Sequence, residues 1–338
     1  MGNLTDLPPE LGIRIAHQLS TQDAINLACT SRALLDIGEA RSWRDLRVNT
    51  DESTIHLRTI AASDEAWYKF GAAVARRPTR RSYISRLRCH LTPQSTPLLL
   101  DLLSPPSSIT YLEINRMFLY SFQETSRSSF PRMKTLARAP GLDSLTHFTI
   151  ADRTAPEIEV YACLANMPNL VSLDLSLGKP KDDDDGQAGT LADMKNDTSW
   201  DDHHTGDKDI AVSSRMRLPK LKRLFFRSHM WLDPLVGILD QAPIVDYLYV
   251  ECGHPEVSHK DPDVEKDRNR CKMAMRVLGS STIRSFNADD GIVQLIYGYA
   301  SVPLTTDWMP NMTRLSCWGP VSVKGRPIFA PSCTAIMG

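Results

Sequence analysis

At 338 residues the chain is long enough for about two domains with a sizeable core. Hydrophobic residues make up 42% and charged residues 23%, a globular mix that excludes wholesale disorder and a fibrous architecture. Lys and Arg number 39 against 40 Asp and Glu, a net charge of -1. Such a balance supplies no global field for a phosphate backbone, so no nucleic-acid partner is expected.

The seven cysteines, at 29, 89, 163, 252, 271, 317 and 333, are odd in number and never spaced as C-x-x-C. That usage fits reduced, mostly buried thiols in a cytoplasmic or nuclear protein. Asp6, Glu10 and Arg14 interrupt any apolar leader, and no segment approaches the ~18 apolar residues of a membrane span. Neither secretion nor a membrane partner is expected, and the sequons at Asn3, Asn196 and Asn311 then read as chance matches.

The first fifty residues predict three short helices. Asp6 is a candidate cap, Pro8 and Pro9 suit a first helical turn, and Glu10 complements the helix dipole. Leu11, Ile15 and Leu19 recur at i, i+4 and i+8 and so share one apolar stripe. Ser20 or Thr21 restarts the backbone before a second helix carrying Ile25, Leu27, Ala28 and Cys29. Leu34, Leu35 and Ile37 continue the apolar surface, and Trp43 and Leu46 close the unit. Roughly 45 residues cannot bury so many large side chains unaided, so some of them should meet a partner or another domain.

Leu7-Pro8-x-Glu10-Leu11, Ile15, Leu19, Asp23, Leu27-Ala28-Cys29, Ser31-Arg32, Leu34 and Trp43-Arg44-x-Leu46 together resemble the F-box, over residues 4–47. The resemblance implies a three-helix module that docks on the Skp-type adaptor of an SCF ubiquitin ligase, and through it on a cullin-RING ligase. Leu7, Pro8, Leu11, Ile15, Leu19, Ile25, Leu27 and Trp43 would carry adaptor binding or the helical core beneath it. Ala24 departs from the family, which has a larger aliphatic residue after the Asp, and this implies a weaker adaptor contact.

Residues 51–76 read as helical, with Ile55, Ile60, Trp67, Phe70 and Val74 on the apolar face, making 48–80 a helical linker. From 81 to the C-terminus an apolar-x-x-apolar-x-apolar pattern recurs, as in Ile109-Thr110-Tyr111-Leu112-Glu113-Ile114 and Leu170-Val171-Ser172-Leu173-Asp174-Leu175. The central apolar residues fall at 87, 112, 148, 173, 224, 248, 286 and 315. Leucine-rich repeats run about 20 to 29 residues, and the longer steps hold the polar inserts 179–214 and 254–270 and a candidate loop at 121–132. Helical stretches are predicted at 96–103, 156–166, 233–241, 264–278 and 291–299. The fold class expected is therefore α/β: an N-terminal three-helix F-box followed by an irregular leucine-rich-repeat-like solenoid. An ordinary α/β domain whose strands carry Leu-x-x-Leu fits the same copies. The later region also resembles the repeat regions of fungal F-box proteins.

The insert at 179–214 holds Asp182-Asp183-Asp184-Asp185 and Asp201-Asp202-His203-His204 without the alternate-oxygen spacing of a calcium loop. It reads as a solvated, disordered acidic segment, and no metal is expected. On the strands, residues flanking each central apolar position share the opposite face. There Arg223, Phe225, Arg227, Tyr247, Tyr249, Glu251, Arg314 and Trp318 form a candidate wall for a target protein, in a composition common at binding hot spots. Phe225 and Trp318 would pack equally well against loops or neighbouring helices. Phosphate-loop, nucleophile-elbow and zinc-helix motifs are lacking, so neither an enzyme nor a cofactor is expected. The function expected is substrate recognition for an SCF-type ligase; the alternative is a non-catalytic scaffold that promotes no ubiquitin transfer.

Overall fold

The computed structural model describes residues 7–48, 60–90, 95–115, 136–151, 157–177, 216–228, 233–252, 282–289, 311, 313–318, 321–323, 326–328 and 333–336. The predicted inserts at 179–214 and 254–270, the loop at 121–132 and the helices at 264–278 and 291–299 lie outside them. The chain divides into two compact units, Met1–Pro131 with Arg138–His147, and Arg132–Ala137 with Phe148–Gly338.

The first unit opens with α1 (Pro9–Ala16), α2 (Thr21–Thr30) and α3 (Leu35–Ser42), with a 3-10 turn at Arg32–Leu34. Pro8, not Asp6, occupies the N-cap position of α1. Pro9 follows at N1, where the missing N–H costs nothing because that donor has no helical partner. Between α1 and α2 the restart point is Ser20, whose Oγ accepts from the Asp23 N–H at 3.1 Å while its hydroxyl donates to the Asp23 carboxylate at 2.6 Å. Ser31 repeats the device by accepting from Ala33 N–H, which fits the preference of short hydroxyls for helix starts.

Leu46, expected to close the helical unit, instead lies in β1 (Asp45–Val48). A four-residue strand with two apolar positions is too short for its alternation to stand out. Then come α4 (Ile60–Arg76), α5 (Arg80–Tyr83), β2 (Arg86–Cys89), α6 (Thr96–Leu103) and β3 (Tyr111–Asn115). Strands β1, β2 and β3 are parallel neighbours in chain order, with Leu46 opposite Leu87 and Leu87 opposite Leu112. The end of α6 meets a 3-10 turn at Pro140–Ser144, where Gly141 sits so close to the Leu103 carbonyl that a Cβ would lie 1.8 Å from its oxygen.

β4 (His147–Ala151) spans the division of the units. The second unit continues with α7 (Glu157–Leu164), β5 (Ser172–Leu177), β6 (Arg223–Ser228), α8 (Asp233–Gln241), β7 (Tyr247–Cys252), β8 (Ser285–Asp289) and β9 (Arg314–Trp318). Short pieces β10 (Val321–Val323), β11 (Arg326–Ile328) and β12 (Cys333–Ile336) end the chain. β5 to β9 pair in parallel and in chain order, so Leu173, Leu224, Leu248, Phe286 and Leu315 occupy one rung. β12 runs antiparallel to β9 and takes its free edge, a closing strand the repeat pattern did not predict. The architecture is α/β, with helices and a parallel sheet.

The period-two alternation explains the core. Leu173, Leu175, Leu224, Phe226, Leu248, Val250, Phe286 and Ala288 are all buried, while the residues between them face the other way. At about 25 cal/mol per Å2 of apolar surface, each such Leu or Phe contributes roughly 1.5 to 3 kcal/mol. Among the described residues Cys89 and Cys163 are buried thiols and Cys29 is an exposed one, none of them in a disulfide. Burial, with Glu113 nearby, pushes the Cys89 thiol far above its usual range, so it stays protonated.

In the first unit α3 is fastened to α4 and α5 through a buried carboxylate. Glu39, 5% exposed, accepts from Arg80 Nη2 at 2.6 Å and Nε at 3.1 Å, and Arg77 Nη1 lies 3.2 Å away. Arg77 also meets Asp36, and Arg80 donates to the Ala73 carbonyl at 2.7 Å. Glu39→Gln removes the charge and leaves two guanidinium groups facing an amide. We expect it to lower stability by about 2 to 3 kcal/mol, read by urea denaturation, with Glu65→Gln on exposed α4 staying within about 0.5 kcal/mol.

Candidate functional site

The helices α1 and α2 bury their small residues and show their large ones to solvent. Gly12 and Ala16 of α1 face inward, and a Cβ on Gly12 would lie 2.5 Å from Ile37 Cδ1. Leu11 and Ile15 of the same helix are 45% and 43% exposed, and Ile25 of α2 is 42% exposed. On α2 the buried position is Ala24, and a Cβ on Gly38 of α3 would lie 2.5 Å from the Ala24 carbonyl and 2.7 Å from Ala28 Cβ. The small residue at 24 therefore serves a close crossing of α2 and α3. A larger side chain there would meet this crossing before it met anything outside.

The other predicted positions separate into roles. Leu27 packs on the cluster of Ala16, Leu34 and Ile37 beneath the helices. Leu7 and Leu19 are half-buried, and Pro8 is exposed. The Leu19 carbonyl accepts from Arg41 Nε at 3.0 Å, tying the end of the first helical hairpin to α3. Trp43 is half-buried inside the unit: its ring stacks on Phe70 at 6.0 Å, and the Arg80 guanidinium lies 4.7 Å from its centroid. Phe70 in turn meets Trp67 edge-on at 5.8 Å, and Trp67 Nε1 donates to the His90 carbonyl at 2.8 Å. Trp43 thus belongs to the clamp holding α3 to α4, not to an outward surface. Close to the exposed face, burial and the neighbouring Arg44 and Arg41 hold His17 below its usual value, which favours a neutral imidazole at pH 7.

A second candidate surface is the strand face of the second unit opposite its core. Phe225 lies 5.1 Å from Tyr247 and 5.8 Å from Tyr249 by ring centroid, a half-buried aromatic group in tilted contact. Arg227 Nη1 meets the Asp174 carboxylate at 3.0 Å, its Nε stands 3.5 Å from Glu251, and its guanidinium lies 5.6 Å from the Tyr249 ring. Tyr249 donates to Glu251 at 3.1 Å. Burial first, and Glu251 second, push that phenol above its ordinary value. Arg227 and Glu251, predicted as contacts for a target, are therefore committed to one another and to Asp174. Arg223 and Arg314 are exposed. Trp318 lies in β9 opposite Asp289, and its side chain falls outside the described features. The strand face of the first unit repeats the motif, with Tyr111 donating to Glu113 at 2.9 Å and Arg88 Nε 3.4 Å from Glu113.

Sequence reasoning missed the inward small pairs Gly12 with Ala16 and Ala24 with Ala28. Their i, i+4 spacing is the signal that marks close helix faces. It also missed Glu39, whose partners lie 38 and 41 positions away and leave no local trace. Among the described residues no group of three His, Cys, Asp or Glu is placed to hold a metal ion, and no helix is long and apolar enough to cross a membrane. Compared with models of known families and with curated proteins, the chain finds no match.

The packing makes a stability contrast. Leu11→Ser and Ile15→Ser should each change unfolding free energy by no more than about 1 kcal/mol, since these side chains already meet water. Gly38→Ala should cost about 1 to 3 kcal/mol because the backbones of α2 and α3 must part. Urea denaturation of the three variants beside the parent chain measures both.

Proposed function

We propose that the chain is a substrate-recognition subunit of an SCF-type E3 ubiquitin ligase. In this reading α1 to α3 form an F-box that docks on a Skp-type adaptor, and through it on a cullin-RING ligase. The strands and helices that follow form an irregular leucine-rich-repeat-like solenoid whose outward strand face holds a target protein. Reduced, widely spread cysteines favour the cytoplasm or nucleus for such work.

The observation that carries the reading is the inverted packing of α1 and α2: small residues inward, with Leu11 and Ile15 one turn apart on α1 and Ile25 on α2 left exposed to solvent. Large apolar side chains left exposed on neighbouring turns of a folded helix, as Leu11 and Ile15 are, mark an interaction site. Covering what remains exposed of these three recovers about 1 kcal/mol each, less than the ~4 kcal/mol or more that association costs. A stable complex must therefore extend over Leu7, Pro8 and Leu19 as well, which border the same helices. The clamp through Glu39 and Trp43 offsets none of this cost directly, but it presents the helices in a fixed pose, so little ordering remains to be done on binding.

Recovery from cell lysate tests the reading. The parent chain should bring down a Skp-type adaptor with its cullin, and a Leu11→Asp, Ile15→Asp double variant should lose at least tenfold of both while keeping its other partners. Equal adaptor recovery by the two proteins overturns the assignment. Adaptor binding with no change in turnover of any captured protein would make the chain a scaffold.

A further inference from the structure

The outward strand face of the second unit is divided by charge. One rung, in register, holds Ser172, Arg223, Tyr247, Ser285 and Arg314; four residues further along, another holds Ser176, Arg227 and Glu251. The latter neutralises itself, because Arg227 is held by Asp174 and Glu251. The former has two exposed arginines, no carboxylate, and no ion pair to either arginine among the described residues. Immediately before it in the chain, Lys222 and Arg284 are exposed and Asp246 is half-buried, so this edge carries four cations against one carboxylate among the described residues. On the strands of the first unit Arg86 lies 3.7 Å from Asp45 and Arg88 is matched to Glu113, which leaves Arg47 as an exposed cation there.

We propose that this edge binds a carboxylate-rich segment of a target protein, with acidic side chains on Arg223 and Arg314 and an apolar side chain between them on Phe225 and Tyr247. The proposal rests on reading the strand face as the target-binding surface and names the chemistry of what it takes. Geometry sets the spacing. Arg223 and Arg314 are three strands apart, about 14 Å at 4.7 to 4.9 Å per strand, which an extended chain spans in about four residues. Residues i, i+2 and i+4 of an extended segment share a face, so the fitting pattern is acidic-x-apolar-x-acidic laid across the strands. The half-buried ring pair, 5.1 Å apart, supplies the apolar seat, and the neutralised rung beyond gives the segment no reason to shift along the strands. The chain's net charge of -1 supplies no wider field for a continuous phosphate backbone, which favours a peptide over nucleic acid.

Fluorescence anisotropy of the full chain with a labelled Glu-x-Leu-x-Glu peptide tests this, beside a Lys-x-Leu-x-Lys peptide and a single-stranded oligonucleotide. The acidic peptide should bind best and weaken with added salt. An Arg223→Gln, Arg314→Gln double variant should lose about tenfold in affinity. Arg223→Lys, Arg314→Lys should retain most of it, which separates loss of charge from loss of fold, and Lys69→Gln on α4 should change nothing. Equal binding of the lysine peptide, tighter binding of the oligonucleotide, or an unaffected glutamine variant overturns the proposal. Adaptor recovery on the same variants keeps the two readings apart: a lost adaptor with intact peptide binding defeats the ligase reading alone, and the converse defeats this one alone.

Discussion

Parallel strands laid side by side in chain order share one core only if every copy places its apolar residues on the same rungs. A slip of one residue would turn Leu224 and Phe226 to the solvent and carry Arg223 and Arg227 inward. The chain meets this condition from β5 to β9, with Leu, Leu, Leu, Phe and Leu across one rung and Leu, Phe, Val, Ala and Cys across the next. Everything the outer face presents follows from it. Because the apolar positions are committed to the core, the alternate positions fall into rungs of their own, and charges far apart in sequence become neighbours.

In the first unit the controlling interaction is different. A buried carboxylate is costly unless it is paired, and Glu39 is paired with Arg80 and Arg77 from beyond α4. Once α3 is fixed in this way, Trp43 is held between Arg80 and Phe70, and α1 and α2 approach α3 through glycine and alanine. Close approach through small residues leaves the larger side chains no inward place. The apolar face on α1 and α2 is thus a consequence of how the bundle is built, and it explains why Leu27 and Trp43, alike in the sequence pattern, have internal work while Leu11 and Ile15 do not.

The two strand faces use one local device to different ends. A tyrosine donating to the glutamate two residues on, with an arginine from the neighbouring strand, occurs at Tyr111 with Glu113 and Arg88, and at Tyr249 with Glu251 and Arg227. Such partly exposed pairs add little stability, about 0.2 to 1 kcal/mol each. Their larger effect is to decide which charges remain available. At the start of β6 and β9 the device is missing, and there the arginines have no ion pair among the described residues.

Much of the element order was legible in the sequence, because the signals are local. Period-two alternation around 87, 112, 148, 173, 224, 248 and 286 marked the strands, and the helices at 96–103 and 233–241 have the predicted bounds. By itself the sequence determined the α/β class, the positions of the core residues on the strands, and a helix start at Ser20 or Thr21, since alternation, helical spacing and capping act within a few residues. Tertiary structure alone decided that β1 exists, that β12 closes on β9, that Glu39 and Trp43 form a clamp, and which of the apolar and charged side chains remain free. Those outcomes depend on partners tens of residues apart, and no local pattern says which of several chemically equal residues will find its partner first.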